Sequence, residues 1–304
     1  MRRRAIAAVW FLFAFVAVSS PAWAQLPADS SLTLGGRVWV TSGYSTNSTG
    51  LSELRWRGVD SVVPELNVDF VWNRLVFMGS VGGGAINKGV LIDEDFLDRD
   101  HQARSSRTRS DVDDDGLFYL NTDVGYRALR WGTPGQLGFV DALAGYQYWH
   151  ERYVAFGATS GFPGVVAAIS SNAKVITQDY YWHSLRLGGR TQVPLFGGLS
   201  LKGRAFLVPW SYSIIDDIHH RRSDLRHDPS FHGEASGGLG VQADGGLTYQ
   251  VWRGLSVEVG FQYWRVKSGE GTATASFTSG DVDTRLLENR TERYGPYVGV
   301  QYRF

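Results

Sequence analysis

The last twelve residues, "RYGPYVGVQYRF", constrain the fold more than any other stretch. Val298, Val300, Tyr302 and Phe304 fall on one face of an extended chain, and Tyr297, Gly299, Gln301 and Arg303 on the other. The same period of two recurs upstream. In "FVDALAGYQYW", Val140, Ala142, Ala144, Tyr146 and Tyr148 oppose Asp141, Gly145 and Gln147. In "GLSVEVGFQYW", Leu255, Val257, Val259, Phe261 and Tyr263 oppose Ser256, Glu258 and Gln262, and in "GLFYLNTDVGYRAL", Phe118, Leu120, Val124 and Tyr126 oppose Asn121, Asp123 and Arg127. Strands that are apolar on one face and polar on the other, in a chain without cysteine, fit a closed barrel whose outside meets lipid and whose inside is polar.

Ten strands are expected, at roughly 31–44, 51–72, 74–95, 116–131, 137–156, 173–193, 199–217, 232–252, 255–268 and 287–304. An even number closes a ring without an exposed edge. The connections alternate in length. "WNR", "WGTPGQ", "PLFGG" and "WRG" are short, whereas 96–115, 157–172, 218–231 and 269–286 are long. Short turns belong on the periplasmic side and long loops outside. The strands exceed the roughly 9–11 residues that cross a bilayer, so the barrel should stand above the membrane.

The N-terminus supplies an address. Arg2, Arg3 and Arg4, the apolar "AIAAVWFLFAFVAV" and the small-residue site "AWA" before Gln25 read as a secretory signal peptide over 1–24. A single barrel domain then occupies 25–304. Thirty basic and thirty acidic residues balance in the full chain; loss of the three arginines leaves three acids in excess, and no basic surplus points to nucleic acid. "YQYWH" (146–150) and "YYWH" (180–183) are expected in an aromatic girdle.

Two paired motifs carry chemistry. "LIDEDFLD" ends strand 3 with Asp93 and Asp95 two residues apart, hence on one side of the strand. "PWSYSIIDDIHHRR" ends strand 7 with Asp217 and His219 in the same relation. Both strands run outward, and four places separate them in a ring of ten, so the pairs should face each other across the outer mouth. Asp217 can fix the tautomer of His219 and stabilise its imidazolium. His219 can then serve as general base on a water that Asp93 and Asp95 orient. An Asp and His set can also hold a cation; by itself the Asp93–Asp95 pair reads as a solvated loop feature and Asp217–His219 as a rim salt bridge. One conflict is built in. Asp217 and His219 share odd numbering with the apolar set Leu199, Leu201, Ala205 and Leu207, as Asp93 does with Leu75, Phe77 and Val81. Simple alternation would turn both pairs outward. A β-bulge near Pro209, and a similar shift at "VGGGA" (81–85), would turn them in.

Taken together, these stretches resemble the omptin family, the outer-membrane aspartate–histidine endopeptidases of Gram-negative bacteria. "DEDFLD" is similar to the family's acidic third-strand stretch and "PWSYSIIDDIHH" to its seventh-strand ending; "SELRWR", "AGYQ" and the terminal Phe304 agree. The resemblance implies a ten-stranded transmembrane barrel assembled by the barrel-assembly machinery. It implies a water-binding role for Asp93 and Asp95, a catalytic dyad of Asp217 and His219, and peptide or protein substrates met at the cell exterior. It also implies activity supported by lipopolysaccharide, with Tyr146 and Arg152 as its lipid-binding residues, although both also read as ordinary girdle positions. No other cofactor is implied. Two departures concern specificity. The family's acid two residues before the dyad aspartate is Ile215 here, and "GYSTNSTG", which reads as the first-hairpin loop, holds no acid. A weak preference for basic substrate residues follows, and Arg221 and Arg222 beside the mouth agree with it. A catalytically silent porin or adhesin on the same scaffold is the alternative. A lipid-modifying barrel would need a serine–histidine pair that does not stand out.

Overall fold

The computed structural model describes residues 30–98, 100–113, 115–133, 136–161 and 168–304. The signal-peptide expectation for 1–24 lies outside them. Thirteen strands make one antiparallel sheet: β1 (Ser30–Thr49), β2 (Ser52–Trp72), β3 (Leu75–Phe96), β4 (Arg104–Val112), β5 (Asp115–Thr133), β6 (Gln136–Ser160), β7 (Ile169–Pro194), β8 (Leu199–His219), β9 (Phe231–Ser236), β10 (Leu239–Gln250), β11 (Leu255–Lys267), β12 (Gly271–Phe277) and β13 (Gly280–Arg303). Three pairs act as single staves. β4 and β5 both lie between β3 and β6, β9 continues β10 beside β8, and β12 continues β11 beside β13. The ring therefore has ten wall positions, and it closes where β1 pairs with β13 from Thr33↔Arg303 to Thr49↔Leu286. No edge is left open in such a ring. The join between β9 and β10 needs glycine: Gly237 has a φ of 81° and Gly238 one of 95°, and a Cβ on Gly238 would lie 2.0 Å from the Lys267 carbonyl oxygen.

The alternation sorts the side chains as the sequence demands. Leu66, Phe77, Leu120, Val124, Leu187, Leu201, Val259 and Val298 are exposed on the outer face. Their neighbours in the chain, among them Asn121, Asp123, Asp141, Gln147, Gln262 and Arg293, are buried inside. An apolar band of that extent is a surface for lipid. Inside, the short-turn half carries paired charges. Arg186 spans Asp123 and Gln242, Arg190 bridges Asp69 and Asp141, and Arg37 holds Glu65. Arg37, Glu65, Asp69, Asp123 and Arg190 line a polar cavity of about 550 Å3. Above it, aromatic side chains pack across the bore. Trp264 on β11 meets Tyr119 on β5 (ring centroids 4.7 Å), Trp149 on β6 (5.6 Å) and Trp39 on β1 (5.1 Å). Trp56 stacks on Tyr153 at 4.8 Å.

Three expectations are corrected here. β4 and β12, with the start of β13, fall in the stretches 96–115 and 269–286 that read as loops. The stretch "GYSTNSTG" is mostly strand, since β1 runs to Thr49 and β2 begins at Ser52. The girdle motifs are split by the pleat. Tyr146, Tyr148 and Tyr181 face out, but Trp149, Tyr180 and Trp182 are fully buried inside.

Candidate active site

Both pairs reach the inner face because the phase of their strands changes on the way up. In β8, Phe206 and Val208 point in, whereas Trp210 is exposed and Ser211, Ser213, Ile215 and Asp217 are buried. The register against β7 slips by one residue between Leu187↔Leu207 and Leu185↔Trp210. That is the bulge anticipated at Pro209, which has no N–H to give to the ladder. In β3 the change lies higher than "VGGGA". Ile86 is the last even-numbered residue buried inside before Leu91 takes over, and the ladder to β2 is irregular around Lys88 and Asp60. Gly58, with a φ of 56°, forms the matching irregularity on β2.

Above these bulges the four residues meet at one rim. Asp93 lies opposite Leu54 and Thr108 in the ladder, and Asp95 opposite Ser52 and Ser106. The Ser106 hydroxyl donates to Asp95 Oδ2 at 2.7 Å. Across the mouth, Asp217 is buried and accepts from His219 Nδ1 at 3.0 Å. The following loop is tied back to the pair. The His219 N–H donates to Ser230 Oγ at 3.0 Å, and the Ser230 N–H donates to the Asp217 carbonyl oxygen at 2.8 Å.

The electrostatics show that the two pairs sense each other. Burial, then the neighbouring Asp95 charge, pushes the Asp93 carboxyl up to about 7, against the pull of His219. Burial opposes the charge on His219, but the Asp217 carboxylate, its hydrogen bond and the Asp93 charge outweigh it and raise the imidazole to about 9. With Nδ1 held by Asp217, proton transfer to and from the imidazole passes through Nε2.

The other acids of "LIDEDFLD" have structural jobs. Glu94 faces the outer wall, where it is buried under Arg55, Arg104 and Arg107. Asp98 accepts the backbone N–H groups of Gln102 (2.8 Å) and Ala103 (2.6 Å) and shapes the loop. Ser106 and Ser230 were not foreseen as part of the mouth: Ser106 sits on β4, in a stretch without alternation, and Ser230 in a polar loop. Among the described residues no group of three or more histidine and acidic side chains is arranged to hold a metal. Tyr146 and Arg152 lie on the outer wall of β6. The Tyr146 hydroxyl pairs with His183 Nδ1 at 2.6 Å, and Arg152 lies 3.9 Å from Asp179.

No protein-family model and no curated protein matches this chain. Among solved structures, the outer-membrane protease OmpT from Escherichia coli superposes with a TM-score of 0.77 at 12% identity, over 92% of this chain and 99% of that one. The chain has the fold of an outer-membrane β-barrel. The translocator domain of the autotransporter NalP from Neisseria meningitidis also matches, over 99% of this chain and 98% of that one, but at 12% identity and a TM-score of 0.38. Neisserial surface protein A matches over 90% of this chain and 97% of its own, at 10% identity and a TM-score of 0.29. The last two scores are too low to carry an argument. At 12% identity, the first speaks for the fold alone.

Proposed function

We propose that the protein is an omptin-type endopeptidase of the outer membrane, with its active site facing the cell exterior. The observation that carries this reading is the convergence of Asp93, Asp95, Asp217 and His219 at one rim, brought about by a bulge in each of two strands. A bulge that inverts a strand costs ladder hydrogen bonds, and such features recur beside active sites. Here the inversion places four titratable groups in a common field.

In this mechanism a water sits between the acidic pair and the dyad. Asp93 and Asp95 orient it. Neutral His219 takes its proton through Nε2 as the oxygen attacks the scissile carbonyl, and Asp217 stabilises the imidazolium that forms. The imidazolium then returns the proton to the leaving amine, and the C–N bond breaks. No side-chain nucleophile is needed. The aromatic layer packed across the bore speaks against a pore reading. Lipopolysaccharide is proposed to support activity from the outer wall, where Tyr146 and Arg152 present polar groups above the apolar band.

The test is a diverse peptide pool incubated with the purified, folded barrel, with and without lipopolysaccharide, and read by mass spectrometry. New peptide termini are expected. A folded barrel that cuts nothing in either condition would make it a silent scaffold.

A further inference from the structure

Beneath the four rim residues a hydrogen bond crosses the bore. Trp56 on β2 lies one inward step below Leu54, the ladder partner of Asp93. Its indole N–H donates to Oε1 of Gln178 on β7, and Gln178 is the ladder partner of Asp217. The bond starts under the acidic pair and ends beside the dyad. Trp56 is itself fixed, stacked on Tyr153 with ring centroids 4.8 Å apart, and Tyr153 is the ladder partner of Gln178 on β6. All three side chains are fully buried.

This anchor decides which way the Gln178 amide faces. Turned over, its NH2 would meet the indole N–H, donor against donor. With the oxygen held by Trp56, Nε2 is left to donate elsewhere, yet it is buried and no described residue accepts from it. A buried donor without an acceptor is costly, and native structures rarely keep one without a reason. Asp217 stands next to it with an acceptor to spare. His219 Nδ1 occupies Oδ1 of that carboxylate, and no described residue donates to Oδ2. Ladder partners carry their Cβ atoms about 4.5–5.5 Å apart, within reach of a glutamine amide.

We propose that Gln178 is a positioning residue of the dyad: its NH2, aimed by Trp56, donates to the second oxygen of Asp217 and holds the carboxylate against His219 Nδ1 during the reaction. The proposal rests on the endopeptidase reading and deepens it. Hydrogen bonds of a catalytic set are often long before substrate binds and tighten in the complex. The sign of the effect follows from the pair. A carboxylate held on Nδ1 favours the imidazolium, so releasing it lets the pKa of the base fall. Asp93 and Asp95 on β3, Tyr180 on β7, and His220, Arg222 and Asp224 after β8 also surround the dyad. A neutral substitution at Gln178 or Trp56 changes none of those charges.

The experiment follows kcat and KM against pH, on a quenched peptide that the wild-type barrel cuts, for wild type, Gln178→Met, Trp56→Phe and the double variant. Methionine keeps the length of the side chain without its donor, and phenylalanine keeps a ring on Tyr153 without the indole N–H. Each single variant should lose about tenfold or more in kcat, the worth of a hydrogen bond to a charged group, with KM little changed. The alkaline limb of kcat should move down by about one pH unit in each. The double variant should lose no more than the worse single one, because both act through one contact. Heat-modifiable migration on a gel checks folding, and if one single variant does not fold, the other decides. A folded variant with the wild-type kcat and limb would overturn the proposal while leaving the endopeptidase. So would a loss of kcat with the limb unmoved, which marks packing alone, or losses that multiply in the double variant. No cleavage of any peptide by wild type would overturn the endopeptidase reading and this role with it.

Discussion

Replacing Asp217 by asparagine separates the field of the carboxylate from its shape. Asp217 accepts from His219 Nδ1 at 3.0 Å. With the help of Asp93, it carries the imidazole from its ordinary 6.5 to about 9 in spite of burial. That displacement corresponds to about 3 kcal/mol of net preference for the imidazolium, at about 1.4 kcal/mol per pH unit. The base works only when neutral, so kcat/KM should climb with pH and level off above about pH 9. At neutral pH only about one molecule in a hundred then carries a neutral His219. In Asp217→Asn the amide keeps the volume but not the charge, while burial remains. The limb should therefore move down by about two pH units, toward or below 6.5. Its plateau should fall by about 10²–10⁴-fold, because the imidazolium formed during the reaction loses its stabilising partner. The assay is kcat/KM on a quenched peptide from mildly acidic to alkaline pH, with folding checked by gel migration. A variant whose limb stays near pH 9 would show that Asp217 does not set the charge of the base. The same would follow from a wild-type limb well below neutrality.

Other perturbations give sharp expectations. Deleting Pro209 removes the extra residue of the β8 bulge, so Asp217 and His219 should turn to the outer face; a folded barrel that still cuts peptides would refute the role given to the bulge. Ser106→Ala removes the donor to Asp95 (2.7 Å) and should slow cleavage about fivefold, the worth of one hydrogen bond of about 1 kcal/mol, with folding unchanged on gels. Glu151→Ala leaves Arg293 buried with its carboxylate partner gone (Nε–Oε1 2.6 Å, both side chains 0% exposed). It should cost about 3–5 kcal/mol, read as a lower unfolding temperature; a wild-type midpoint would contradict a structural role for that pair. Asp93→Asn removes one of the two carboxylates that hold the water. It should lower kcat more than it raises KM, which steady-state kinetics can separate.

The legible part of this fold is the part that lipid dictates. Where a strand crosses the apolar band, one face must be apolar, and residues such as Val259 and Val298 against Gln262 and Arg293 write that demand into the sequence. Above the band the constraint lapses. β4 reads "RSSRTRSDV" and β12 "GTATASF", polar or small on both faces, so no alternation announced them. The two pairs were visible through their spacing, and the conflict between their parity and the lipid-facing residues correctly called for bulges. Pro209 marked one of them chemically. The other sits at Asn87–Lys88, where no proline or glycine pair flags it, and the glycines of 81–85 were a false marker. The split girdle motifs show a different limit: in a barrel filled with tryptophan, an aromatic run does not say which of its rings meet lipid.

His219→Ala measures the central claim most directly. Wild type and variant, both shown to be folded by heat-modifiable migration, would be compared on the same quenched peptide under the same lipid and at the wild-type pH plateau. Loss of about 10²–10⁴-fold in kcat/KM is the predicted result, the usual contribution of a general base. Cleavage at the wild-type rate by the folded variant would contradict the dyad, and with it the reading of this mouth as an active site.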